Sequence, residues 1–263
     1  MAGRKSAAKW PLAHDKVDLN QDTSLLKLIA IVLMVIDHTG KMLFHSNTMR
    51  IVGRAAFPMF AYCIAAGCVY TKNHAKYLSR LALVGLVSQP LYALALDHTF
   101  PSMFAISFRE RPVAAALNFY VESWGYPSIL LTLVLGVMVI WTLRACQPAL
   151  TLAMALFIWK ADKFIDYGWE GVTLIVLFYL FINRRWLSLP VVAAFMIWWG
   201  LRDGSYYHLF GVRFGMEMFA VAALPLIYIH THSGLKINKW VFYLFYPGHL
   251  IVMLLIEMAL KNI

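Results

Sequence analysis

From residue 25 onward the chain alternates long apolar runs with short polar turns. A hydrocarbon core roughly 30 Å thick is crossed by about 20 mostly apolar helical residues. On that measure the runs predict membrane helices over 25–44, 51–70, 77–96, 127–145, 148–164, 170–183, 186–201, 211–230 and 240–260. The count is about nine, within a range of about eight to ten because the runs between 148 and 201 are short. The longest polar interval, 97–126, is too mixed to span and predicts a re-entrant or interfacial piece. The expected fold is therefore an all-α, polytopic integral membrane bundle. Residues 1–24 form a cytoplasmic N-terminal arm, and residues 25–263 form one transmembrane domain.

Composition strengthens this reading. Hydrophobic residues make up 61% of the chain and charged residues only 14%, against about 25% charged in an ordinary soluble domain. A formal charge of +10 would suggest nucleic acid in a soluble protein. Here the cations sit in the turns between runs, where membrane topology requires them, so lipid rather than nucleic acid is the expected partner. With the N-terminus inside, the cytoplasmic segments collect the tail cations together with Lys72, Lys76, Arg80, Arg144, Arg184, Arg185, Lys236 and Lys239. Cys63, Cys68 and Cys146 match neither a disulfide framework nor a metal pattern. No metal is expected. Trp198, Trp199 and Trp240 lie near run ends and read as an interface belt.

Ionisable groups inside membrane helices are costly and by default suggest function. The first run carries Lys27, Asp37 and His38. At about 100° per residue, Lys27 and His38 fall within about 20° of one face, separated by about 16 Å of rise. Asp37 is rotated about 100° from His38, so it is expected to pair with Lys41 or with Arg54 on the next run. His38 is the candidate general base, a role that needs only a suitable imidazole within reach of the proton. Arg54 can hold an anion bidentately or neutralise Asp37. Asp166 and Glu170 either bind an amine or cap the helix that follows. Asn118 either lines a site or serves a turn, and His249 lies deep in the last run. Glu217 is an intramembrane acid with no partner evident in the sequence. A nucleophile elbow, a His-Glu-x-x-His motif and a P-loop are all absent.

Four stretches together resemble the TraX family of conjugative pilin acetylases: Leu26 to Gly40 (LKLIAIVLMVIDHTG), Arg50 to Phe60 (RIVGRAAFPMF), Asp166 to Gly171 (DYGWEG) and Phe242 to Leu250 (FYLFYPGHL). They run from the first span to the last. The family in turn is similar to membrane acyltransferases with a basic residue, ten intervening residues and a histidine in the first span. Those usually carry Arg where this chain has Lys27, which keeps the charge without the planar fork.

The resemblance implies an acyltransferase of the bacterial inner membrane that moves acetyl from acetyl-CoA to the N-terminal amine of membrane-inserted pilin, alongside other conjugation-apparatus proteins. It makes His38 the catalytic residue, with Asp37 beside it in the catalytic pair of candidates and the assisting role open among Asp37, Arg54 and Lys27. Lys27, Arg54, Asn118, Asp166, Tyr246 and His249 are then the substrate-binding set. Another amine or hydroxyl acceptor, a transporter, and a non-catalytic pilus assembly factor are the alternatives. No internal repeat favours a transporter.

Overall fold

A computed structural model describes residues 14–96, 98–202 and 207–261. The described chain is an all-α bundle with one small hairpin. Helix α1 (Thr23–Met42) is started by the Asp22 side chain, which accepts from the Leu25 amide, satisfying one of the free donors of a helix N-terminus. A short turn leads through α2 (Asn47–Gly53) into α3 (Ala56–Tyr70). Arg54 stands at the joint between them, so the predicted span at 51–70 is a helix broken one turn in.

Helix α3 is the centre of the bundle. Its Ala61, Tyr62, Ala65, Ala66 and Cys68 are buried. Lipid gives helices little hydrophobic reason to associate, so close approach over small residues matters more. α3 packs on α1, α6 (Ile129–Arg144) and α8 (Gly168–Leu180). Helix α4 (His74–Ala95) keeps Pro90 inside it and packs on α6 and α11 (Lys239–Lys261). The Gln89 amide donates to Ser123 O and Tyr126 O and accepts from Ser128 N, so the polar interruption of that run ties down the turn before α6. Helix α7 (Pro148–Lys160) lies outside this centre, while α9 (Arg185–Arg202) brings Val192, Met196 and Trp199 to its core.

Four segments are long and apolar enough to cross a membrane: Thr23–Met42, Asn47–Tyr70, His74–Ala95 and Lys239–Leu260. Ile129–Arg144, Pro148–Lys160, Gly168–Leu180 and Met216–Tyr228 are apolar but shorter. The chain is a helical membrane protein. The run predicted as a helix over 211–230 instead contains a hairpin, β1 (Tyr207–Leu209) paired with β2 (Val212–Phe214), then a 3-10 segment Met216–Ala223 and the short α10 (Leu224–Tyr228). Phe210 and Gly211 turn the hairpin with positive φ, a geometry that ends any helix attempted there. The interval 97–126 holds a 3-10 turn, Pro101–Phe104, and a 12-residue helix α5 (Pro112–Ser123). Trp199 does not face outward as a belt residue would: it is buried against Phe57 and Tyr167.

Of the expected basic arm, residues 1–13 lie outside the described residues. Residues 14–22 are built into the bundle. Asp18 N donates to Ile182 O at 2.9 Å and Asn20 N to Ile227 O at 3.0 Å. The Asn20 amide also reaches Leu226 O, and Tyr62 OH donates to Asn20 O. This defines one end of the bundle; the other gathers the C-terminal end of α1 with the N-terminal ends of α2 and α8.

At that second end α1 and α2 touch at Gly53. A Cβ there would stand 2.3 Å from Asp37 Cβ and 2.8 Å from Asp37 Cα. Backbone cannot retreat as a flexible side-chain tip can. Gly53→Ala is therefore expected to destabilise by about 1–3 kcal/mol through overpacking. Thermal unfolding in detergent at an unchanged midpoint would contradict this contact.

Candidate active site

A cavity of about 360 Å³ lies among α1, α3, α4 and α11. Helical periodicity turns Lys27, Ile31, Met34, His38 and Lys41 of α1 toward it, so the cation and the imidazole predicted to share a face do share one. Lys27 stands at the bundle end where α11 begins, its ammonium 5.3 Å from the Phe242 ring, with Lys239 also lining the wall. His38 is buried toward the other end, and its Nδ1 lies 3.0 Å from His249 Nε2. His249 Nδ1 in turn is 3.0 Å from Phe245 O.

Beyond His38 the wall becomes ionic. Arg54 Nη2 meets Asp37 Oδ1 at 2.6 Å, and Arg54 Nη1 meets Glu217 Oε1 at 3.1 Å and Tyr167 OH at 3.2 Å. Of the two partners expected for Asp37, Arg54 is the one found, and Glu217 shares the same guanidinium. Lys41 Nζ instead donates to His98 Nε2 at 3.1 Å. Tyr92 OH donates to Asp166 Oδ2 at 3.4 Å. Burial pushes the Asp166 carboxyl up to about 6, while the Arg54 charge and the Tyr92 hydroxyl pull against that rise. The Tyr246 hydroxyl is buried in the wall. Among the described residues, no group of three His, Cys, Asp or Glu side chains is arranged to hold a metal.

Two expectations about this end change. Asp166 does not cap α8. Tyr167 precedes that helix in the left-handed region, at φ 62, and Asp162 Oδ1 accepts from the Trp169 amide at 2.9 Å. Asp166 is thereby free to face the cavity, and Glu170 pairs with Arg202. Asn118 lies away from the cavity on α5, donating to Ser102 O and Met103 O; it holds the 3-10 turn against that helix. Of the predicted residues, Lys27, Asp37, His38, Arg54, Asp166 and Tyr246 line the cavity, and His249 reaches it through His38. Tyr92, His98 and Tyr167 also line it; Tyr167 belongs to the Asp166 to Gly171 stretch, while nothing in the local sequence marks Tyr92 or His98.

Arg54, Asp166 and Tyr167 also form the wall of a second hollow, of about 480 Å³, completed by Asp162, Glu170, Arg202 and Glu217. Its lining is polar where the first cavity is mostly apolar. The two chambers thus meet across one layer of side chains.

The sequence model of a family described as "TraX protein" matches residues 22–257. A "Probable fimbrial assembly protein FimC, serogroup H1" from Dichelobacter nodosus is 26% identical over 251 residues, covering 90% of this chain and 96% of that protein. No solved structure matches.

Proposed function

The chain belongs to the TraX protein family, and from that premise we propose that it is a membrane-embedded acetyltransferase acting on the N-terminal amine of pilin. The family, and the relative named for fimbrial assembly, support a pilus- or conjugation-related membrane protein. The step to acetyl transfer rests on one observation: a buried imidazole in the wall of a mostly apolar cavity, with a lysine toward one end and a polar chamber at the other.

In this reading the protein lies in the bacterial inner membrane with its N-terminus cytoplasmic. The four shorter apolar segments and Arg185–Arg202 cross along with the four long ones, giving about nine crossings. Acetyl-CoA approaches from the Lys27 and Lys239 side, its anionic part left among the basic cytoplasmic turns. The acceptor arrives from the opposite face through the polar chamber, whose carboxylates suit an ammonium group; it gives up one proton to water in that chamber and reaches His38 as the neutral amine. His38 takes the proton from the amine nitrogen as that nitrogen attacks the thioester carbonyl. The C–N bond forms, the C–S bond breaks, and the proton held on His38 passes to the departing thiolate. The products are an N-acetyl chain terminus and free CoA thiol. Arg54 already spends its fork on Asp37 and Glu217. Lys41 keeps donors beyond the one given to His98 and is the cation available to a developing oxyanion.

Purified protein incubated with labelled acetyl-CoA and pilin tests the proposal. Label recovered on the pilin N-terminus is the expected result. Label on a different amine or hydroxyl would move the same chemistry to another acceptor. Label on nothing would leave a non-catalytic assembly role.

A further inference from the structure

The geometry points to His249 as a positioning residue that fixes which nitrogen of His38 carries the proton, leaving His38 Nε2 as the basic atom. This inference rests on the acetyltransferase reading for its purpose, but not for its geometry. A backbone carbonyl only accepts, so His249 Nδ1, 3.0 Å from Phe245 O, must carry a hydrogen. A buried imidazolium without an ion partner is costly, and among the described residues no carboxylate pairs with either ring. With both rings neutral, His249 Nε2 has a lone pair and no hydrogen. The contact of 3.0 Å to His38 Nδ1 is then donated by His38.

The ring arrangement fits that direction. The two imidazoles are 19° from parallel with centroids 5.2 Å apart. Each is therefore nearly in the plane of the other, where the lone pair and the N–H point. His38 thus has its proton on Nδ1, and Nε2 makes no hydrogen bond among the described residues. A carbonyl orienting one histidine that orients another does the work of the carboxylate that usually fixes a catalytic tautomer. It does so without placing a charge in the apolar wall.

A plain packing role makes a different prediction, since the His249 ring also stacks on Phe245, with centroids 5.2 Å apart and planes 5° from parallel. Two substitutions separate the roles. His249→Gln keeps an acceptor for His38 Nδ1–H but loses the ring. His249→Phe keeps a ring and loses the acceptor. If His249 positions His38, the Gln variant transfers acetyl within about ten-fold of the wild-type rate. The Phe variant falls about a thousand-fold in kcat, at nearly constant KM, as expected for loss of an effective general base. The reverse order, Phe active and Gln inactive, overturns the inference in favour of ring packing.

Nitrogen-15 spectroscopy of full-length, histidine-labelled protein reads the same point without any turnover. The His38 signals, assigned by their loss in His38→Ala, should show a protonated Nδ1 and a bare Nε2 in wild type and in His249→Gln. A proton on Nε2 in the wild type overturns the inference whatever the acetyl assay gives. A wild-type protein with the expected tautomer but no acetyl transfer counts against the proposed function and leaves the pairing standing.

Discussion

Replacing His38 by alanine is expected to remove acetyl transfer while leaving the protein folded in the membrane. A positioned general base contributes about 10²–10⁴ in rate. Among the described residues no second base stands in its place. His249 stands behind the His38 ring and outside the cavity lining, and Asp37 is committed to Arg54. The structural cost is smaller. Truncation leaves His249 Nε2 without its donor, a loss of about 1–3 kcal/mol for a buried polar atom. It also enlarges a cavity that already exists beside His38, so the core around Tyr62, Phe178 and Tyr179 keeps its contacts. Three measurements on one preparation decide the matter: abundance in the membrane fraction, the thermal midpoint in detergent, and label transferred to pilin. Transfer at the wild-type rate by a folded variant would remove His38 from the chemistry. Loss of both transfer and fold would make His38 structural, and the His249 variants would then have to carry the assignment.

What the sequence could reveal depended on the range of the interaction. The face shared by Lys27 and His38 was legible because eleven residues of one helix fix it locally. The burial of Arg54 was legible because a charge one turn inside an apolar run has few places to go. The contacts that organise the site were not legible in detail. His38 and His249 are 211 residues apart, and Arg54 and Glu217 are 163 apart. No local pattern states which helices will be neighbours. Glu217 stood out as an intramembrane acid, and only the packing of its 3-10 segment beside α2 supplies its cation.

The misreadings have physical causes as well. Hydropathy averages over a window, so 211–230 scored as a span although the Phe210-Gly211 turn, Gly215 and Pro225 break its helical continuity. For Asn118 the sequence leaves a site role and a turn role both open, because the partners that decide for the turn, Ser102 O and Met103 O, are backbone carbonyls that composition does not show. For Asp166 the sequence leaves an amine site and a helix cap both open, because a carboxylate just before a helix suits either. The left-handed Tyr167 turns the chain so that Asp162 takes that place.

Arg54→Met is expected to be the most destabilising single substitution at the ionic end of the bundle. The side chain is nearly buried, as are both carboxylates it serves, each at about one-seventh exposure (13% for Arg54, 14% for Asp37 and 13% for Glu217). Methionine would occupy much of the same volume and leave Asp37 and Glu217 without their cation. Removing one partner of a buried pair costs about 3–5 kcal/mol, because the charge left behind is uncompensated. Here two are left. Arg54 also donates to Arg50 O and Tyr167 OH, so α1, the α2–α3 joint, the α8 entry and the 3-10 segment before α10 all lose a common tie. Arg54→Lys should fall between the two, since a single ammonium cannot reproduce the fork that meets Asp37 through Nη2 and Glu217 through Nη1. Combining Arg54→Met with Asp37→Asn and Glu217→Gln should recover much of the loss, because neutral amides no longer demand a cation. Thermal unfolding of the four proteins in one detergent reads the coupling directly. If the triple variant is no more stable than Arg54→Met alone, the guanidinium acts by filling space, and the ionic account of this end fails.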